Sequence, residues 1–479
     1  MGRGSVVTDQ SKSHGSKHSE SATDDFVEAM VVGAAKVIGL LAWWAVRFPL
    51  ASMPIVLALA ATAVAGWRLG VVVVVVWAVS YGLWCYLDRE SFHRVVWYPI
   101  RASWLTWWRY TRSWEQVCTL HGLTARLGER TLVPRLLSVR IGGGTDALVV
   151  RIVTGQTVAD WQKQGAALAE TWRCSRLTVR SVRPGEVSIV VHRGDDLSQP
   201  IPLPRPGYGT RTDLVAVTVG AADGHRSWVL PMLGHHVLVA GATGSGKGSV
   251  LWSIIAGLAP AVRAGTVRLC VIDPKGGMEL GRGAPLFAAF SHDHAETTLG
   301  LLRALVSVMT RRAARLRGHT RLHTPSEAEP LLVVIIDELV SLTAYGTDRK
   351  IRAEIEQLLG LLLSQGRAVG VSVIAAAQDP AKDTLPVRQL FTVRIGLRMT
   401  EATQTGMVLG AAAREAGAVC DQIPDSTPGL GYVMVDGTSE PLRVRAYHVT
   451  DADIDHLTKY FIPAHRPHLP DEPDDRRAP

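Results

Sequence analysis

The stretch "VLVAGATGSGKGSVLWSI" (237–254) constrains this chain more than any other. An uncharged apolar run breaks into a glycine-rich turn and then into residues spaced for a helix. It therefore predicts a buried strand, a tight loop and a helix from Lys247 to about Leu258. Glycines let a loop turn its backbone N–H groups inward, and the helix N-terminus aims at the same point. Gly241, Ala242, Thr243, Gly244, Ser245, Gly246 and Lys247 thus predict a phosphate cradle for ATP, with Lys247 reaching the β- and γ-phosphates. One position breaks the pattern. Gly248 stands where a Ser or Thr hydroxyl is wanted for Mg²⁺, and Ser249 follows, turned about 100° around the helix. A small shift of the helix start would bring Ser249 to the metal. Otherwise Asp337 and water must hold it.

The runs "HHVLVA", "VRLCVID", "LLVVIID", "VSVIAAA" and "TVRIGL" are continuously apolar rather than alternating. Such strands are covered on both faces, as in a parallel α/β sheet. Ligands of these sheets gather at the C-terminal strand ends. Asp337 and Glu338 end one run, Gln378 ends another, and Asp273-Pro274-Lys275 ends a third. Asp337 is expected to hold Mg²⁺ through water. Glu338 is expected to orient and deprotonate the attacking water, and Gln378 to bond both that water and the γ-phosphate.

Outside this region the chain is uneven. A formal net charge of +8 suits an anionic partner, nucleic acid or lipid. Five scattered cysteines without a CxxC pair speak against a disulfide framework or zinc site and for a reducing compartment. Residues 1–25 read as a disordered tail, without the order of a signal peptide. Residues 26–90 read as a membrane region. Phe48–Trp67 and Leu69–Leu87 are uncharged, separated only by Arg68, and each is long enough to cross a hydrocarbon core of about 30 Å. They predict a transmembrane helical hairpin. Val27–Val46 carries Glu28 and Lys36 and reads as an interfacial helix. Arginines interleaved with Trp97, Trp104, Trp107 and Trp108 mark 91–130 as a juxtamembrane linker. That predicts a multi-pass protein of the plasma membrane with its motor in the cytoplasm.

Residues 131–200 predict a small α+β module. Its strands are "ALVVRIV", "LTVRSV" and "EVSIVVHR", with a Pro184-Gly185 turn. One helix over "TVADWQKQGAALAETW" (157–172) would bury Val158, Trp161, Ala166, Leu168 and Trp172. The Pro-rich "SQPIPLPRPGYG" (198–209) reads as a linker, 210–450 as the main domain, and 463–479 as a second disordered tail.

Four stretches, "AGATGSGKG", "DPKGGMEL", "VVIIDEL" and "AAAQDP", occur in that order. They resemble the "AGxTGSGKS", "DPK…EL", "hhhhDE" and "ATQxP" of the FtsK/SpoIIIE family of hexameric double-stranded DNA translocases. The resemblance covers roughly 140–450 and is nearest to the actinomycete Tra-type plasmid-transfer proteins. It implies a RecA-like P-loop NTPase motor using ATP and Mg²⁺. It also implies a homo-hexamer that passes double-stranded DNA through its centre, with other transfer or septal proteins as partners. By the same resemblance, Arg394 is the cation lent to a neighbouring subunit's site, with Arg367 a second candidate. Arg349, Lys350, Lys382 and Arg388, after the catalytic strands, would touch DNA phosphates. "RRAARLR" (311–317) reads as a solvated helix face. About 30 residues follow the motor, short of the family's sequence-reading winged-helix module.

The expectation is a membrane-anchored, ATP-driven DNA translocase for conjugative plasmid transfer. The rivals are a chromosome-segregation translocase, a protein-secretion or coupling ATPase, and, because of Gly248, a non-hydrolysing scaffold.

Overall fold

The computed structural model describes residues 49–463 except 129, 208, 210, 225, 294–295, 344–348, 379–385 and 439. The expected tails, the Val27–Val46 helix and Lys382 lie outside the described residues. The chain divides into two compact units: one runs to Leu120 and includes Val139–Ile141, and the other holds the rest.

In the first unit, α1 (Pro49–Ala65) and α2 (Trp67–Leu87) pack against each other. The Tyr81 hydroxyl donates to the Leu50 carbonyl, so the pair runs antiparallel. They approach closely at Gly70, where a Cβ would lie 2.0 Å from Thr62 Oγ1. The turn falls at Gly66 (φ 85°), so Arg68 sits in the first turn of α2 rather than between the helices. At about 1.5 Å per residue, the 21 residues of α2 are long enough to cross a bilayer core, and 17 residues of α1 are described. Among the described residues, α2 alone is long and apolar enough to cross a membrane. It is followed by α3 (Tyr98–Arg109), which exposes Trp104, Trp107 and Trp108.

The second unit begins with a short hairpin, Ala125–Leu127 with Arg130–Leu132. A four-stranded sheet of order β1-β2-β4-β3 follows, built from β1 (Arg135–Ile141), β2 (Thr145–Arg151), β3 (Arg176–Arg183) and β4 (Glu186–His192). Burial alternates along β2 and β4, as one covered face requires. The single helix expected over 157–172 is instead α4 (Val158–Lys163) and α5 (Gly165–Thr171), broken at Gln164. That break rotates the buried set to Trp161, Gly165, Leu168 and Trp172, leaving Ala166 exposed.

The large sheet contains the five expected strands: β7 (Val237–Ala240), β8 (Val267–Ile272), β10 (Leu331–Ile336), β11 (Val371–Ala377) and β12 (Val393–Gly396). Sequence reading missed β5 (Val217–Ala222), β6 (Arg226–Leu230), β9 (Phe287–Ser291), β13 (Leu430–Val435) and β14 (Leu442–His448). The order is β9-β8-β10-β11-β7-β12-β13-β14-β5-β6. Strands from β9 to β12 run parallel, and those from β12 to β6 pair antiparallel.

Helices cover both faces of this sheet. Along β10, Leu331, Val333 and Ile335 join one core with α6 (Lys247–Arg263). Leu332, Val334 and Ile336 join a second core with α7 (Glu296–Leu316) and α8 (Arg349–Gln365). The large domain also runs past 450, since α9 (Asp451–Tyr460) contributes Ile454 and Leu457 to the first core. Within the expected linker 198–209, Ile201–Pro202 is tied down. Ile201 and Pro202 pair with Tyr447 and His448 of β14, while the Asp195 carboxylate accepts two bonds from Arg443, at 2.6 and 2.7 Å. In 311–317, Arg311, Arg315 and Arg317 are exposed as a solvated face requires, but Arg312 is buried and caps the carbonyls of Val369, Gly370 and Pro330 at 3.2, 3.1 and 2.8 Å.

Candidate nucleotide site

Strand order brings the chemistry together. β11 lies between β7 and β10, with Ala240 beside Ala377 and Ile336 beside Ala375. The loop after β7, the acids after β10 and Gln378 after β11 therefore emerge at one edge. A cavity of about 680 Å³ opens there, walled by Ala242, Thr243, Lys275, Glu338, Gln378 and Arg398 among others.

The loop is braced from outside. Gly246 (φ 95°) heads α6, and a Cβ on it would meet the Gly429 amide at 2.2 Å. That amide donates to Ser245 O at 2.8 Å. Arg398 Nη2 donates to Thr243 O at 2.8 Å, and its Nε pairs with Asp425 at 2.9 Å. Lys247 folds back, donating to Gly241 O at 2.7 Å and Ala242 O at 3.1 Å. Burial holds its ammonium below the usual lysine range. It must leave these carbonyls to reach a phosphate.

Across the cavity, Lys275 Nζ stands 3.1 Å from Asp337 Oδ2 and 3.9 Å from Glu338 Oε2. Glu338 Oε1 accepts from the Gln378 amide at 3.3 Å, and Gln378 Oε1 accepts from Thr243 Oγ1 at 3.4 Å. A polar chain thus runs from the loop to the acids. Burial pushes the carboxyls of Asp337 and Glu338 up, against the pull of Lys275. Burial alone would lower Lys275, but the two carboxylates raise it on balance. Asp273 does not face this chain. It accepts from the amides of Lys275 at 3.2 Å and of Glu279 and Leu280 at 3.0 Å, folding "DPKGGMEL" into a loop.

For Mg²⁺ the oxygen donors suit a hard cation. Glu338 Oε2 is buried with no hydrogen-bond partner. Among the described residues no group of three or more His, Cys, Asp or Glu is placed to hold a metal. A magnesium ion here must share its shell with phosphate and water. Ser249 is not among the cavity walls, and Glu279 Oε2 stands 3.4 Å from the point a Cβ on Gly248 would occupy.

The remaining expected residues are dispersed. Arg394 lies within β12, opposite Leu238, and bonds Asp436 at 3.3 Å. It is not part of this cavity. Arg367 precedes β11, at the other end of that strand. Arg349 and Lys350 are exposed at the start of α8, and Arg388 is half-buried in the turn Pro386–Leu390. Sequence reasoning passed over Arg398. It lies four residues beyond Arg394, past the C-terminal end of β12, where the strand-end rule itself would have looked.

Residues 210–422 match the family model described as FtsK/SpoIIIE family. The chain is 29% identical over 341 residues to the transfer protein TraSA of Streptomyces ambofaciens, covering 66% of this chain and 79% of that one. It is 26% identical over 264 residues to the DNA translocase FtsK of Listeria monocytogenes, covering 50% of this chain and 33% of the relative. It therefore spans only about a third of that translocase's length. Among solved structures, the conjugation coupling protein TcpA of pCW3, with ATPγS, aligns with 20% identity and a TM-score of 0.47, covering 73% of this chain and 98% of that one.

Proposed function

Residues 210–422 form a P-loop ATPase domain of the FtsK/SpoIIIE family, and from that premise we propose that the whole chain is a membrane-anchored, ATP-driven translocase of double-stranded DNA that serves conjugative transfer. The observation that carries this is the convergence of Lys275, Glu338 and Gln378 on one cavity at the loop, with Lys247 donating to Ala242 of its wall and Asp337 paired with Lys275. Lys247 swings off its own loop onto the phosphates. Glu338 takes the proton of the attacking water, and Gln378 ties that water to the loop. Asp337 would help hold Mg²⁺ once Lys275 gives way. A bound Mg²⁺ supplies charge neutralisation for the transferring phosphoryl group.

The match to a transfer protein over most of its length supports a conjugative role rather than a septal one. The motor works as a homo-hexamer, with a basic side chain lent across each interface. Arg394 is the candidate, and Arg398 stands ready within the same subunit. Arg349, Lys350, Lys382 and Arg388 contact DNA phosphates in the ring. α2, with α1 beside it, tethers the ring to the membrane. The full chain in detergent should hydrolyse ATP faster when linear double-stranded DNA is added, and Lys247→Ala should abolish both rates. Full turnover by Lys247→Ala would sink the site; turnover indifferent to DNA would sink the translocase.

A further inference from the structure

α3 carries a surface that stays uncovered among the described residues. Trp97, Arg101, Trp104 and Trp108 recur at intervals of four, three and four residues, the spacing of one helix face. Trp97 ends a single π turn (His93–Trp97) that runs directly into α3, so the stripe begins just ahead of the helix. All four residues are exposed, the three tryptophans by 48% to 54%. Trp107, also exposed, widens the stripe to about 120°, whereas Ser103 and Thr106 lie on the opposite side. The rings are ordered along the helix. Trp104 and Trp108 stack, with centroids 5.9 Å and planes 7° apart, and the Arg112 guanidinium lies 4.0 Å from the Trp108 ring centroid. The charge is of one sign: residues 91–114 hold Arg94, Arg101, Arg109 and Arg112 and no Asp or Glu.

We propose that this stripe lies on an anionic phospholipid surface, with its indole rings at headgroup depth and its guanidinium groups on the lipid phosphates. The proposal rests on the membrane anchor inferred above and adds a second attachment to it. The two helices differ as the two roles require. α2 is apolar all round and suits hydrocarbon, whereas α3 sets large aromatics and arginine on one face and small polar residues on the other, as a helix lying in the interface does. An aromatic stripe without arginines would take neutral headgroups equally well. Four positive charges with no acid among them select an anionic lipid. DNA phosphates would satisfy the same charge, but position favours the membrane. Residues 88–97 are mostly helical, and at about 1.5 Å each they keep α3 within about 15 Å of the end of α2. A single span leaves a chain free to turn about the span's axis, and a second contact beside it stops that rotation.

The test uses the full chain in nanodiscs of phosphatidylcholine with increasing phosphatidylglycerol. One lipid or the other is brominated near the headgroup end of its chains, and quenching of tryptophan fluorescence is the readout. At equal mole fraction, brominated phosphatidylglycerol should quench more than brominated phosphatidylcholine, and added salt should shrink the excess. Arg101→Gln should raise the phosphatidylglycerol fraction that gives half of the excess by about fivefold. Replacing Arg94, Arg101 and Arg112 together by Gln should remove the excess. Trp67, Trp77 and Trp84 of α2 should stay quenchable by both lipids in every variant, which identifies protein that still inserts. Equal quenching by the two lipids, or an excess that the triple replacement leaves intact, would overturn the stripe's assignment alone. A fluorescence change on adding double-stranded DNA that the triple replacement abolishes, without a lipid preference, would reassign the stripe to nucleic acid. Quenching by neither lipid would overturn the membrane anchor along with it.

Discussion

Val74 and Val334 are the same residue in runs of similar composition, yet Val74 is 53% exposed and Val334 fully buried. Val74 lies in α2, where apolar side chains point outward on all sides. Val334 lies in β10, whose alternate residues enter two different cores. An apolar run states only that water must be excluded. β10 satisfies that demand with helices on both faces. α2 leaves it unmet among the described residues, and that exposure is what the proposed membrane anchor rests on.

The widest separation comes from putting a charge in both places. Val334→Asp should remove the folded motor altogether, since an unpaired carboxylate in that core exceeds about 4 kcal/mol; circular dichroism and ATP turnover should both be lost. Val74→Asp should leave turnover intact and weaken membrane insertion by roughly 2.5–3.5 kcal/mol, read by carbonate extraction. Equal effects at the two sites would erase the distinction.

Within the motor, charge at the site and charge in the core should part company. Glu338→Gln should slow turnover about 10²–10⁴-fold, as loss of a general base does. The same change should raise the melting temperature. Its folded-state pKa lies above the usual 4.5, so the folded chain binds that proton more tightly than the unfolded one. The ionised form then subtracts stability at neutral pH, and the amide removes that penalty. Turnover should also fall on acidification at a pH above 4.5, as Glu338 takes up its proton.

Acid separates the two regions more gently. His236 is buried, and its Nδ1 accepts the Val373 amide at 2.9 Å, which requires a neutral ring. Burial lowers its pKa from 6.5 to about 4. The folded state resists protonation that the unfolded state accepts, so the motor should lose stability as pH falls from 6.5 towards 4, by roughly 3 kcal/mol from this group. Urea titrations should trace that slope, and His236→Asn, which keeps an acceptor, should flatten it. α2 carries no histidine or carboxylate, so its insertion should not change across that window.

The smallest effect belongs to the exposed charges. Arg349→Ala should weaken DNA binding uniformly across sequences and reduce the salt slope by about 0.9 for each phosphate that the side chain neutralises.

The site was legible where chemistry followed the chain locally. "GATGSGK" and "IIDEL" each join a strand to its functional end, so Lys247, Asp337, Glu338 and Gln378 could be named from strand ends alone. Arg394 was selected by resemblance and lies mid-strand, bonded to Asp436, while Arg398 at the strand end braces the loop. In "RRAARLR" Arg311, Arg315 and Arg317 are exposed as expected, and Arg312 departs because helical spacing does not reveal what packs on a helix: it meets carbonyls 18 to 58 residues away. The antiparallel strands β5, β6, β13 and β14 were missed because their burial comes from partners distant in sequence.

By itself the sequence determined the parallel strands, the phosphate loop and an apolar α2, because hydrophobic period and glycine geometry act over a few neighbouring residues. Only the tertiary structure decided that β11 separates the lysine loop from the acids, that Ile201 and Pro202 join the large sheet, and that Arg398 braces the loop. Those outcomes depend on which strands pair and which helices cover them, and such pairings are settled by packing between segments far apart in the chain.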